Sequence, residues 1–224
     1  MAVRKIVGPM FSGKTDTALQ AVSRWLDSGR AAVAVYVAKN GDQRYGETAA
    51  EVTSHRTAQQ HAKHAGLYVH RCDILTAQLV FDAFDAALDG AGAVADHVRV
   101  VVIDEAQFFE VQELHKAVRD LADAGYYVYV CGLDYDSNCK VFGGVLSLPA
   151  DETDCRTAIC VECGAPAPFT RRHVFSPAQV VVGGRAEYSA VCRRHHPALS
   201  PKTTATPRSF NQRGSSKTAA AKTD

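Results

Sequence analysis

The sequence predicts an α/β fold: a mostly parallel sheet with helices on both faces, and a small unit appended after it. Three observations predict it. Gly8-Pro9-Met10-Phe11-Ser12-Gly13-Lys14-Thr15 matches the phosphate-loop pattern G-x-x-x-x-G-K-[ST] without a mismatch. Across residues 1–150, β-branched apolar runs alternate with segments whose apolar residues fall at helical spacing. Two short Cys/His pairs, Cys160-x-x-Cys163 and Cys192-x-x-His195, then follow.

The first element is Val3-Arg4-Lys5-Ile6-Val7, a short apolar run bounded by glycine that reads as a buried strand. From Thr15 to Leu26 the residues Ala18, Leu19, Val22, Trp25 and Leu26 fall on one helical face. Strand, turn and helix are what a P-loop requires. A loop opening onto a helix N-terminus points unpaired N–H groups at one place, and the helix dipole adds positive potential there. Gly8 and Gly13 let the backbone fold closely around phosphate oxygens. Gly8 to Thr15 is thus the candidate ATP-binding loop, with Lys14 aimed at the β/γ-phosphates and the Thr15 hydroxyl at Mg²⁺.

Gly29 ends the helix. Ala31 to Val37 is a second strand, and the unit so formed is parallel and right-handed. Residues 38–65 are polar and glycine-punctuated, with Arg44 and Ser54-His55-Arg56. They read as a functional loop, with a solvated surface as the plain alternative. Leu67 to His70 is a short strand, and Ile74 to Leu88 a helix with Ile74, Leu75, Leu79, Phe81, Phe84 and Leu88 as its apolar positions.

Val98 to Ile103 is a continuous apolar run, the mark of a strand buried on both faces. It ends in Asp104-Glu105-Ala106-Gln107-Phe108-Phe109. Acids at the C-terminal end of a central strand in a P-loop protein form the Walker B arrangement. Asp104 is the candidate Mg²⁺ carboxylate and Glu105 the candidate general base. Glu110 to Ala124 is an amphipathic helix with Leu114, Val118 and Leu121 on one face, closed by Gly125. Tyr126 to Gly132 is another buried strand, and the apolar run Val141 to Leu148 ends at Pro149. The sheet therefore has about five or six strands.

The Cys/His pairs suit structural zinc, because two short ligand pairs on separate turns can present four ligands tetrahedrally. Cys160, Cys163, Cys192 and His195 are the candidate ligands, and His196 could take the fourth place instead. Between the pairs, residues 167–174 and 179–182 are β-like, with a Gly183-Gly184 turn. Cys72, Cys131, Cys139 and Cys155 lack ligand spacing, and the first two read as buried thiols. The expected division is a nucleotide-binding unit at 1–150, a zinc ribbon at 151–199 and a disordered, weakly basic tail at 200–224.

Composition narrows the function. Charge is balanced, 25 Lys+Arg against 24 Asp+Glu, so no extended nucleic-acid surface is expected. No apolar run suits a membrane span, the N-terminus shows no signal-peptide pattern, and seven cysteines are an odd number for a disulfide framework. A cytoplasmic protein is expected.

Together, the P-loop variant at 8–15, Asp104 to Phe109, the C-x-x-C and Gly183-Gly184…Tyr188…Cys192 resemble the cytosolic-type (type II) thymidine kinase family, from Val3 to about His196. The resemblance implies a P-loop fold of RecA-like type with a zinc-ribbon lasso, and ATP- and Mg²⁺-dependent phosphorylation of the thymidine 5′-hydroxyl. Glu105 matches that family's general base. Met10, Phe108 and Leu133 match positions lining its thymine pocket. Thr170 and the Val181-Val182-Gly183 backbone match positions holding the base edge, and Tyr188 a tyrosine on the sugar–base side. A homotetramer inhibited by thymidine triphosphate is further implied. This chain departs from the pattern at Ser137-Asn138, where relatives commonly place a Phe-Arg or similar pair, so an aromatic wall of the pocket is either missing or supplied by Tyr135. Arg56 stands near a position where some relatives carry His-Asp or His-Asn.

Two other classes compete. Asp-Glu-Ala-Gln also resembles the boxes of helicases, which generally need two such domains and a basic nucleic-acid track. A nucleotide-binding protein without turnover is the other, opposed by the presence of both Lys14 and Glu105.

Overall fold

The computed structural model describes residues 2–38, 67–89 and 97–200. The expected functional loop at 38–65, with Arg44, His55 and Arg56, falls almost wholly outside the described residues, as does the tail from residue 201. The strands β1 (Val3–Val7), β2 (Ala31–Ala38), β3 (Leu67–Cys72), β4 (Val98–Asp104), β5 (Tyr127–Gly132) and β6 (Glu152–Cys155) form one sheet in the order β3-β2-β4-β5-β1-β6. Every neighbouring pair is parallel. One strand, β5, separates the P-loop strand β1 from the acid-bearing strand β4.

Helices cover both faces. On β2, Val33, Val35 and Val37 pack with Leu19 and Val22 of α1 (Lys14–Asp27). The alternate residues Ala32, Ala34 and Tyr36 join Val80 and Phe84 of α2 (Ala77–Asp89) and Leu114 and Leu121 of α3 (Val111–Asp123). The two-residue period of a strand thus feeds two cores, and β2 is buried on both sides. The ends of α1 and α3 have local causes. The Gly29 N–H, at φ +64, reaches the Leu26 carbonyl at 3.0 Å. At α3 the Glu110 carboxylate accepts from the Gln112 and Glu113 N–H groups at 2.8 and 2.9 Å.

Three elements of the sheet and its flanking segments differ from the sequence expectation. Helix α2 starts at Ala77 rather than Ile74, because the Thr76 hydroxyl accepts from the Leu79 N–H at 3.1 Å and caps it. Ile74 and Leu79 are consequently exposed, while Leu75, Val80 and Phe84 are buried. The apolar run 141–148 folds as successive turns, joined to Tyr135 by one bridge at Val141, and it buries Val145 and Leu148. The sixth strand is the polar edge segment Glu152–Cys155, so the sheet draws on residues past 150. It pairs with β1, where Arg4 lies 3.5 Å from Glu152 and 3.6 Å from Asp154.

Beyond β6, a small hairpin joins β7 (Ala158–Ile159) to β8 (Pro166–Ala167). A second antiparallel pair joins β9 (Phe169–Arg172) to β10 (Tyr188–Val191). Residues 179–182 form no strand, and their expected place is taken by β10. Ala158, Cys160, Ala167, Ala190, Val191 and Cys192 make a separate small core against which Phe11 of the P-loop packs. Among the described residues, no helix is long and apolar enough to cross a membrane.

Candidate active site

Strand β1 delivers Gly8 to Thr15 to the C-terminal edge of the sheet, directly before α1. The loop is held by its own groups. The Ser12 hydroxyl and Lys14 Nζ each donate to the Pro9 carbonyl at 2.8 Å. Gly13 caps α1 at φ +79. Gly8 is required by a close approach: at φ +150, a Cβ built there would lie 2.4 Å from the Arg156 carbonyl oxygen. The Arg156 N–H in turn donates to the Val7 carbonyl at 2.7 Å. Gly8→Ala is therefore expected to weaken ATP binding about tenfold or more, since such backbone strain costs about 1–3 kcal/mol. Titration of ATP binding checks this, and an unchanged dissociation constant would contradict it.

Strand β4 brings its acids beside the loop. The Thr15 hydroxyl donates to Asp104 Oδ2 at 2.9 Å, across the intervening strand β5. The Glu105 N–H donates to the other oxygen, Oδ1, at 2.9 Å. Asp104 is buried, and its pKa is pushed up to about 6 by that burial and by the adjacent Glu105 charge. Burial likewise lowers the Lys14 pKa, opposed by the charges of Glu105, Asp104 and Asp134. A hydroxyl beside a buried carboxylate offers hard oxygen ligands, so Thr15 and Asp104 fit Mg²⁺.

Glu105 itself sits at φ +51, in the left-handed region. Its Oε2 accepts from Gln107 Nε2 at 2.6 Å, and Gln107 Oε1 accepts from the Leu133 N–H at 3.0 Å. The sequence reading assigned no role to Gln107. The available signal was its amide in a run otherwise made of Ala106, Phe108 and Phe109, where a buried polar group needs partners.

The residues expected around the nucleoside are only partly gathered. Thr170 of β9 accepts through its hydroxyl from the Met10 N–H at 3.0 Å, so lasso and P-loop meet. The Tyr188 hydroxyl donates to the Val181 carbonyl at 2.7 Å. Leu133 meets Gln107 through its backbone, as above. Gly183 packs closely on Glu187, whose carboxylate accepts from the Gly184 N–H at 2.7 Å. Val182 is exposed. The ring that meets Phe108 is Phe142, edge to face at 5.6 Å. Gln179 Nε2 donates to Asp136 Oδ2 at 3.1 Å, which ties the segment before Val181 to the loop after β5.

Cys160, Cys163, Cys192 and His195 bring their ligand atoms within 4.8 Å of one another. The Cys163–Cys192 sulfur separation is 3.8 Å, and His195 Nδ1 lies 3.5 Å from Cys160 Sγ and 3.3 Å from Cys192 Sγ. Tetrahedral zinc, with Zn–S near 2.3 Å and Zn–N near 2.0 Å, spaces its ligands by about 3.8 Å between sulfurs and about 3.5 Å from sulfur to nitrogen. The donor set and spacing therefore fit that ion. Burial raises the Cys160 thiol, but N–H groups of Cys192 and Glu162 and the His195 ring outweigh it and bring its pKa to about 6. His196 is apart from this cluster: it is fully buried, 3.6 Å from Cys139 Sγ and 3.2 Å from the Thr170 carbonyl.

The same residues can be set against known proteins. A thymidine kinase of Deinococcus radiodurans is 38% identical over 214 residues, covering 90% of this chain and 92% of that one. One from Bdellovibrio bacteriovorus is 34% identical, covering 86% and 84%. One from Thermococcus kodakarensis is 33% identical, covering 85% and 91%. The family model described as thymidine kinase matches residues 1–196, which takes in the P-loop, the Asp104–Glu105 pair and all four metal-ligand candidates. The chain belongs to the thymidine kinase family.

Proposed function

We propose that the chain transfers the γ-phosphoryl group of ATP to the 5′-hydroxyl of thymidine, and of deoxyuridine, as a cytoplasmic salvage enzyme. The observation that carries this is the 2.9 Å contact between Thr15 and Asp104 with Glu105 as the next residue. It supports a cation site with a second carboxylate beside it at the mouth of a phosphate loop. Gly8 to Lys14 bind the phosphates through backbone N–H groups and the Lys14 ammonium. Thr15 and Asp104 would hold Mg²⁺, which when bound would neutralise phosphate charge. Glu105 takes the proton of the 5′-hydroxyl as that oxygen bonds the γ-phosphorus. The bond from the γ-phosphorus to the β-bridging oxygen breaks, and ADP leaves.

Met10, Phe108, Leu133, Thr170, Val181, Val182, Gly183 and Tyr188 enclose the nucleoside. A lid of this kind excludes water, which competes as acceptor. Cys160, Cys163, Cys192 and His195 would hold zinc, which would brace the lid's base. The reading extends to a homotetramer inhibited by thymidine triphosphate, with no nucleic acid or membrane partner.

The test is transfer of label from γ-labelled ATP with Mg²⁺, offering thymidine, deoxyuridine, deoxycytidine and deoxyguanosine in parallel. Label on thymidine and deoxyuridine alone supports the proposal. Label on none, with the protein folded and zinc-loaded, favours ATP binding without turnover.

A further inference from the structure

The Walker acids account for the metal and the proton, but they leave Gln107 unexplained. It is a buried polar side chain, 3% exposed, directly behind the proposed base. Both ends of its amide are engaged. Nε2 donates to Glu105 Oε2 at 2.6 Å, and Oε1 accepts from the Leu133 N–H at 3.0 Å. The orientation is not ambiguous: the Leu133 N–H can meet only an oxygen, so the amide nitrogen faces Glu105.

The surroundings leave the amide little room to move. A Cβ at Gly132 would lie 2.8 Å from Gln107 Oε1, and one at Gly143 would lie 2.4 Å from the Gln107 carbonyl oxygen. Two glycines, at the end of β5 and in the turns after it, thus let the backbone close on this one residue. Glu105 has the opposite problem. Its backbone is in the left-handed region at φ +51, and its N–H is committed to Asp104 Oδ1 at 2.9 Å. That backbone fixes where the side chain starts but not where its carboxylate points.

From this geometry we infer that Gln107 is a positioning residue for the reaction, which sets the Glu105 carboxylate against the acceptor hydroxyl by anchoring it to the Leu133 backbone. The inference rests on the proposed roles of Glu105 as base and Leu133 as a pocket wall. Its physical content is a ruler. Leu133 lies against the nucleoside and Glu105 at the 5′-oxygen, and one amide spans the two. Proton transfer demands hydrogen-bond distance at the moment of reaction, so a carboxylate free to swing loses turnover and not binding.

The experiment uses Gln107→Met and Gln107→Glu in the full chain, each alone and combined with Glu105→Gln. Methionine keeps the length and removes both hydrogen bonds. Glutamate keeps an oxygen for the Leu133 N–H and exchanges the donor facing Glu105 for a repelling carboxylate oxygen, so it remains informative if the methionine variant does not fold. Each single variant is expected to lower kcat about tenfold or more, with KM for ATP within about twofold and one zinc retained. In the Glu105→Gln background neither is expected to lower kcat further, because residues that act through one another are non-additive. Unchanged kcat in the folded single variants, or a full multiplicative loss in the double variants, would overturn the inference. Near-normal turnover of Glu105→Gln alone would instead remove the base assignment on which it stands.

Discussion

Glu105→Gln is expected to lower kcat by a factor of about 10² or more and to leave ATP binding nearly unchanged. The substitution is nearly isosteric, and the glutamine oxygen can still accept from Gln107 Nε2, which reaches Glu105 Oε2 at 2.6 Å in the native chain. What disappears is proton affinity at that position. The neighbouring carboxylate responds in a defined direction. The Glu105 charge is one cause of the raised Asp104 pKa of about 6, the other being burial, so removing it lets Asp104 ionise more readily. A Mg²⁺ titration beside the kinetics therefore distinguishes a lost base from a changed cation affinity at the proposed Thr15–Asp104 site. Steady-state kinetics beside an ATP titration separate the two effects. Turnover near the native rate would refute the base role.

Cys163→Ser is expected to abolish zinc binding at the candidate site and lower the melting temperature together with activity. Structural zinc contributes about 10–16 kcal/mol of apparent binding free energy in small metal-folded units, and a serine hydroxyl is a poor replacement for a thiolate. The ribbon has little else to hold it, since its apolar core is mostly alanines, with Val191, two of the cysteine ligands and a partly buried Phe169. Activity suffers because β9 and β10 lie between the two ligand pairs and carry Thr170 and Tyr188. Metal analysis with thermal melting checks this. A variant that keeps one zinc and its native melting temperature would show that the ligand set is wrong.

The parts of the site that sequence disclosed are those fixed by local chemistry. A P-loop needs its glycines, lysine and threonine within one turn of chain, and the strand before it is apolar because both faces are covered. Asp104 and Glu105 were legible as candidates for a similar reason, since acids ending an apolar strand downstream of a P-loop fit the Walker B arrangement. Long-range pairing was less legible. Glu152–Cys155 has no apolar pattern, because an edge strand exposed to solvent needs none, and its pairing rests on the β1 backbone and Arg4. The run 141–148 has the composition of a strand, yet its burial comes from packing beneath Gln107 and α3, which no local window contains. Gln107 itself became visible only when Leu133 and Glu105 were brought to its two ends.

The contact between Gly8 and the Arg156 carbonyl bears on how such a protein could be assembled from parts. The phosphate loop and the ribbon look like interchangeable modules on the chain, but they share a seam at the level of single atoms. The ribbon's leading segment, through β6 and Arg156, is hydrogen-bonded along β1 up to Val7, one residue short of the loop. A ribbon grafted onto a different phosphate-loop scaffold would have to bring that strand with it and would meet any side chain at the first loop position. Conversely, a chain cut before residue 152 would uncover an edge of β1 and one wall of its own nucleotide loop. The few residues from 152 to 156 are thereby tied to the phosphate loop rather than to the ribbon they lead into.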